Sequence, residues 1–177
     1  MTRLDDTRPF IPLRIAILTM SDTRTAAEDK SGDALAEMIT ADGHTVAART
    51  LVKDDAEAIR AQVAAWIADA EVDVVLTTGG TGFTGRDVTP EAVRPLFEKE
   101  IDGFSVLFHQ ISFQSVGTST IQSRACGGIA RGTLIFCLPG STGACRDAWN
   151  GILKWQLDNR HRPCHFLQHM PPFECHR

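Results

Sequence analysis

The residues Thr77-Thr78-Gly79-Gly80-Thr81-Gly82-Phe83-Thr84-Gly85-Arg86-Asp87 are of the types that hold an anion. Glycines admit positive φ and lack the Cβ atoms that would keep backbone N–H groups away from a phosphate oxygen. The threonine hydroxyls add donors. The stretch directly follows an apolar run, and ligands of open α/β sheets sit beyond the carboxyl ends of the strands. The alternative is a tight strand-to-helix connection with no ligand. Repeated glycine and threonine ending in Arg-Asp favours the anion site. Gly140-Ser141 repeats the arrangement after another apolar run, where free N–H groups could meet an anion. Ser141 acting as a simple helix cap explains the same pair.

Two familiar patterns almost fit. Gly80-x-Gly82-x-x-Gly85 spells the dinucleotide fingerprint, but that fingerprint follows the first strand and runs straight into a helix. Here it follows roughly the third strand, and the next helix waits until about Thr89. Gly80-x-x-x-x-Gly85 also mimics a P-loop, yet Arg86-Asp87 stands where Lys-Ser/Thr is required. Both are rejected.

Cys164, His165, His169, Cys175 and His176 are zinc ligands by type. Their adjacent Cys-His pairs lack the spacing of structural zinc sites. Trp66, Trp149 and Trp155 fall in helical patterns and suit a core or a subunit contact better than base stacking.

The elements that must position these groups alternate along the chain. Residues 14–20 (RIAILTM), 72–77 (VDVVLT) and 133–138 (TLIFCL) are short apolar runs suited to strands buried on both faces. Residues 44–52 form a further strand with β-branched positions. Helical spacing predicts helices over 31–41, closed by Gly43, and over 56–70, 89–100, 103–113, 119–126 and 141–155. Thr89 followed by Pro90 is a helix start. Alternation of this kind implies a three-layer α/β/α sandwich around a mostly parallel sheet. Residues 1–12 read as a loose arm, 13–158 as one domain, and 159–177 as a tail packed on it.

The chain of 177 residues is 43% hydrophobic, as expected of one soluble domain. Acidic residues outnumber basic ones, 22 to 18, for a formal charge of -4, which argues against a general nucleic-acid binder. Five scattered cysteines do not look like a disulfide framework. No apolar run is long enough to span a membrane or serve as a signal segment, so the expected setting is the reducing cytoplasm.

Thr78-Gly79-Gly80-Thr81-Gly82 followed by Arg86-Asp87-Val88-Thr89-Pro90 resembles the signature of the MoaB/MogA group of molybdenum cofactor biosynthesis proteins. The resemblance extends to Leu18-Thr19-Met20-Ser21-Asp22, Asp29-Lys30-Ser31-Gly32 and Gly117-Thr118-Ser119. It continues through Ser123-Arg124-Ala125 and Leu138-Pro139-Gly140-Ser141, and so covers roughly residues 13–162. It implies a trimer or hexamer that transfers AMP from ATP to the terminal phosphate of molybdopterin, with Mg²⁺, releasing pyrophosphate. A metal-insertion enzyme of the same pathway would take the product.

Joining two anionic phosphates requires charge neutralisation and in-line positioning more than covalent catalysis. A hard cation held by carboxylates would supply part of both. Asp87 and Asp54 match acidic residues of the family's active site and are the expected catalytic and Mg²⁺-holding groups. Each has a plainer reading as a cap, Asp87 for the helix near Thr89, and Asp54 or Asp55 for the helix near Ala56. Arg86 either contacts a phosphate or is a solvated turn residue. Ser21 and Asp22 leave the first strand where the family places its ligand cleft, or form an ordinary turn. Ser123 and Arg124 are carried by the resemblance alone. Ser21, Asp22 and Ser123, with Thr78, Gly79, Gly80, Thr81, Gly82, Gly140 and Ser141, complete the expected substrate site. A molybdopterin-binding protein with little or no catalysis is the second reading. A nucleotide-dependent oxidoreductase is disfavoured by the order of the elements.

Overall fold

The computed structural model describes residues 3–22 and 28–170. A two-residue strand β1 (Arg3–Leu4) precedes β2 (Arg14–Met20), helix α1 (Lys30–Ala41), β3 (Thr45–Val52), α2 (Ala56–Ala68) and β4 (Val74–Thr78). Then come α3 (Thr89–Val93), β5 (Lys99–Glu100), α4 (Asp102–Val116), β6 (Cys126–Ala130), β7 (Thr133–Leu138) and α5 (Thr142–Ala148). A π-helical turn (Trp149–Leu153), the short α6 (Lys154–Gln156) and β8 (His161–Arg162) close the described chain, with a last 3₁₀ turn at Phe166–His169.

Six strands form one mixed sheet in the order β3-β2-β4-β7-β6-β5, the first four parallel and the last two antiparallel to their neighbours. The apolar runs are apolar at every position because each face meets a different helical layer. Ile15, Ile17, Val74, Leu76, Leu134 and Phe136 pack with α1, α4 and α5. Ala16, Leu18, Val75 and Ile135 pack with α2 and α3 on the other face. The result is the α/β/α sandwich expected, with both layers built from period-two alternation on strands and helical stripes on their cover.

Two stretches differ from the sequence reading. The helix expected over 89–100 stops at Val93, because Pro95 cannot donate to a continuing helix. A 3₁₀ turn at Arg94–Leu96 leads instead into edge strand β5. The helix expected over 119–126 is a 3₁₀ turn, Gly117–Gln122, followed by strand β6. Strand β6 was hidden by its glycines. The ring of Phe97 lies where a Cβ on Gly128 would be, so the strand is flat on that side and the aromatic covers it.

The ends of the described chain are joined. β1 pairs antiparallel with β8, and the side chain of Asn159 accepts from the Ile11 N–H and donates to the Pro9 carbonyl, both at 2.9 Å. Phe10 packs on His44 with ring centroids 5.0 Å apart. The segment read as a loose arm is therefore bound to the segment read as a tail. Trp149 is buried in the core and donates from Nε1 to Asp42 at 2.7 Å. The cysteines at 126, 137, 145 and 164 are free thiols, and no described helix is long and apolar enough to cross a membrane.

Candidate active site

The strands end in turns that face one another. β2 exits through Ser21-Asp22, β3 through Lys53-Asp54, β4 through the glycine-rich turn and β7 through Pro139-Gly140-Ser141. Between them lies a cleft of about 450 Å³. All twelve residues selected from the sequence line it: Ser21, Asp22, Asp54, Thr78, Gly79, Gly80, Thr81, Gly82, Asp87, Ser123, Gly140 and Ser141. Arg86 lines it too, as do Thr19, Met20, Ser31, Gln122 and Pro139, which sequence reasoning did not select. Thr19 was the one polar break before the end of an apolar run. Ser31 lay two residues past Asp29, whose carboxylate caps α1 through Gly32 N–H at 2.9 Å and accepts the Thr19 hydroxyl at 2.7 Å.

The glycine-rich turn is shaped by close approach. Gly80 has φ of +62°, and a Cβ there would stand 2.9 Å from Asp54 Oδ1 and overlap the Thr89 hydroxyl. Thr89 fastens the turn from beneath, its hydroxyl donating to the Gly79 carbonyl and its N–H to the Gly80 carbonyl, each at 3.0 Å. Arg124 fastens it from the side. Its guanidinium donates to the carbonyls of Gly82 at 2.8 Å and Asp87 at 2.7 Å, and pairs with Glu91. Its own N–H meets the Thr81 carbonyl at 2.9 Å. Arg124 is thus a brace rather than a phosphate contact. Thr78 contributes only its main chain, since its hydroxyl is used on the Pro139 carbonyl at 3.0 Å. Ser141 caps α5, accepting from Ala144 N–H at 3.1 Å, while lining the cleft. His109 holds the Ser123 carbonyl at 3.0 Å from Nε2.

Neither central aspartate serves as a helix cap. The residue capping α2 is Asp55, which accepts from Ala58 N–H at 2.8 Å, and the residue preceding α3 is Val88, with no side-chain cap bond. Asp54 Oδ1 is buried and has no hydrogen-bond partner among the described residues. Burial raises its pKa above the ordinary carboxylate value, and the charges of Asp22 and Asp87 add to this, against the pull of Arg86. Asp87 differs. Burial disfavours its charge, but the Thr84 hydroxyl at 2.6 Å and N–H at 2.9 Å, with help from Gly82 N–H and Arg124, hold its pKa below the ordinary value. Asp22 ties the two exits together, accepting from Asp54 N–H at 3.3 Å and pairing with Arg86 at 3.2 Å.

Three carboxylates thus meet at one sheet edge beside two glycine turns, one of them with an unanswered oxygen. A buried, unpaired carboxylate oxygen is costly unless a cation or donor arrives. Among the described residues no group of three or more His, Cys, Asp or Glu side chains could hold a metal ion by itself. One or two carboxylates with substrate phosphates are the usual arrangement for Mg²⁺. Cys164, His165 and His169 of the tail form no metal-holding group, and Cys175 and His176 lie outside the described residues.

Residues 16–159 match the family model described as a probable molybdopterin binding domain. Molybdenum cofactor biosynthesis protein B of Escherichia coli (strain K12) is 53% identical over 161 residues, covering 91% of this chain and 95% of the relative. The protein of the same name from Bacillus anthracis is 49% identical over 146 residues, covering 82% and 86%. A crystal structure of a molybdenum cofactor biosynthesis protein B aligns with a TM-score of 0.82 at 46% identity, covering 85% of this chain and 94% of the other. The tungsten cofactor synthesizing protein MoaB from Pyrococcus furiosus aligns with a TM-score of 0.72 at 35% identity, covering 80% and 91%. The chain belongs to the MoaB/MogA family of molybdenum cofactor biosynthesis proteins.

Proposed function

We propose that this protein is a molybdopterin adenylyltransferase acting in the cytoplasm as a homo-oligomer. The terminal phosphate oxygen of molybdopterin attacks the α-phosphorus of ATP. A new P–O bond forms, the bond to the α,β-bridging oxygen breaks, and pyrophosphate leaves with the electron pair. Nothing in this transfer requires a protein nucleophile. The backbone N–H groups of the glycine turns would hold the phosphates, and the loop hydroxyls would orient them.

The observation that carries the reading is the buried, unpartnered Oδ1 of Asp54, facing Asp22 and Asp87 across a glycine-walled cleft. A carboxylate so placed fits a Mg²⁺ site completed by Asp87 and substrate phosphates. When bound, the ion would neutralise the charge that accumulates on the transferring phosphoryl oxygens. Asp87, kept ionised by Thr84, retains the negative charge needed there. The exposed Val106, Phe113, Val116 and Ile121 form an apolar strip along α4 and the turn after it, which suits contact with further copies of the chain. The adenylylated pterin would pass to a metal-insertion enzyme.

The test is pyrophosphate release by purified protein with molybdopterin, ATP and Mg²⁺, beside Asp54→Asn and Asp87→Asn. Turnover that needs molybdopterin and falls at least a hundredfold in both variants supports the reading. Saturable molybdopterin binding without turnover replaces it with the binding-protein reading.

A further inference from the structure

Among the described residues no aromatic side chain lines the cleft. It offers backbone N–H groups, hydroxyls and carboxylates to phosphates, but no flat apolar surface to a ring. Such a surface stands at its rim. Phe83 follows the cleft-lining Gly82 in the glycine-rich turn and is 65% exposed. One face of its ring lies toward the Arg124 guanidinium, whose Cζ is 5.6 Å from the ring centroid. That guanidinium is itself fixed by the Gly82 and Asp87 carbonyls and by Glu91. The ring is therefore held in place by a tethered cation, with most of the residue still exposed.

We infer that Phe83 is a stacking platform for the planar heterocycle of a phosphorylated ligand whose phosphates occupy the glycine-walled cleft. The ring is a pterin or a purine, the two being alike in flatness and polar edges. This rests on the anion-cleft reading and adds to it the site at which the ring is seated. Phe83 acts as a binding residue: it holds the ring in register while the phosphates meet the turns. Base–aromatic stacking is sequence-tolerant and adaptable because every such ring presents a π-face.

The experiment measures binding of three probes by calorimetry, each with Mg²⁺: inorganic triphosphate, ATP, and a 6-substituted pterin monophosphate. Wild type is compared with Phe83→Ala, Phe83→Leu and Phe83→Trp, and the molar mass of each is followed by light scattering. The expected result is that Ala and Leu weaken one ring-bearing probe by about 5- to 150-fold. Triphosphate affinity and molar mass stay unchanged, and Trp retains wild-type affinity. The probe that weakens names the ring. Equal loss on triphosphate, no loss on either ring-bearing probe, or a changed molar mass in Ala and Leu overturns the platform, the last assigning Phe83 to a subunit contact. Failure of the wild-type protein to bind triphosphate at all is a separate result, and it overturns the anion cleft itself.

Discussion

The Arg124 guanidinium donates to the main-chain carbonyl of Asp87 at 2.7 Å, while the Asp87 carboxylate accepts from Thr84 instead. The arginine thus fixes where the aspartate stands without neutralising it by direct pairing. Arg124→Lys keeps the charge but cannot span the carbonyls of Gly82 and Asp87 together. It should lower stability by about 1–3 kcal/mol, seen as a lower unfolding midpoint, and cut turnover at least tenfold. A variant with full turnover would show that the brace is dispensable.

Asp54→Asn should separate stability from function. The folded pKa of Asp54 is raised above 3.8 by burial, Asp22 and Asp87, so its ionised form disfavours folding. That penalty is absent below the unfolded value and develops as pH climbs through the folded one. At neutral pH the asparagine variant should therefore unfold at a higher temperature than wild type while losing activity. The difference should shrink as the pH falls toward 3.8 and vanish below it, and Mg²⁺ with triphosphate should stabilise wild type alone.

The charge of Asp22 helps hold the Asp54 pKa up. Asp22→Asn should move the acid limb of Mg²⁺-triphosphate binding to lower pH, because Asp54 then ionises more readily. Binding titrations between pH 3 and pH 7 measure this, and a limb moving upward would contradict the assignment.

Gly80→Ala places a methyl group against the Thr89 hydroxyl and Asp54 Oδ1 at a residue with φ of +62°. Strain of this kind costs about 1–3 kcal/mol. Phosphate binding should be lost along with it, whereas Gly85→Ala, with open space around its Cβ position, should bind normally.

Phe113→Asp and Val116→Asp add charge to the exposed strip on α4. If copies of the chain pack there, the double variant should sediment near the 19.3 kDa of one chain, where wild type sediments as a larger species.

The parallel half of the sheet was readable because β2, β4 and β7 are apolar on both faces, a demand that leaves few sequence alternatives. The antiparallel half was not. Cys126-Gly127-Gly128-Ile129-Ala130 carries little strand propensity, and its place depends on Phe136 across the hairpin and on Phe97, some way back along the chain. The cleft residues could be gathered from the sequence because strand ends in such a sheet converge on one side. What could not be read was division of labour. Whether Asp54 or Asp55 caps α2, and whether Arg124 meets a phosphate or a carbonyl, depends on side-chain directions that only the packed loops decide.

The β1–β8 pairing bridges Arg3 and Arg162, and Asn159 adds its bonds to Pro9 and Ile11 beside it. This clasp leads into the amino end of β2, whereas the cleft lies at the carboxyl ends of the strands. Two residue pairs offset little of the entropy of joining chain ends so far apart in sequence, so the clasp is expected to form late in folding and to fray early. The molecule has a frayable pole and a chemical pole separated by the full length of the sheet.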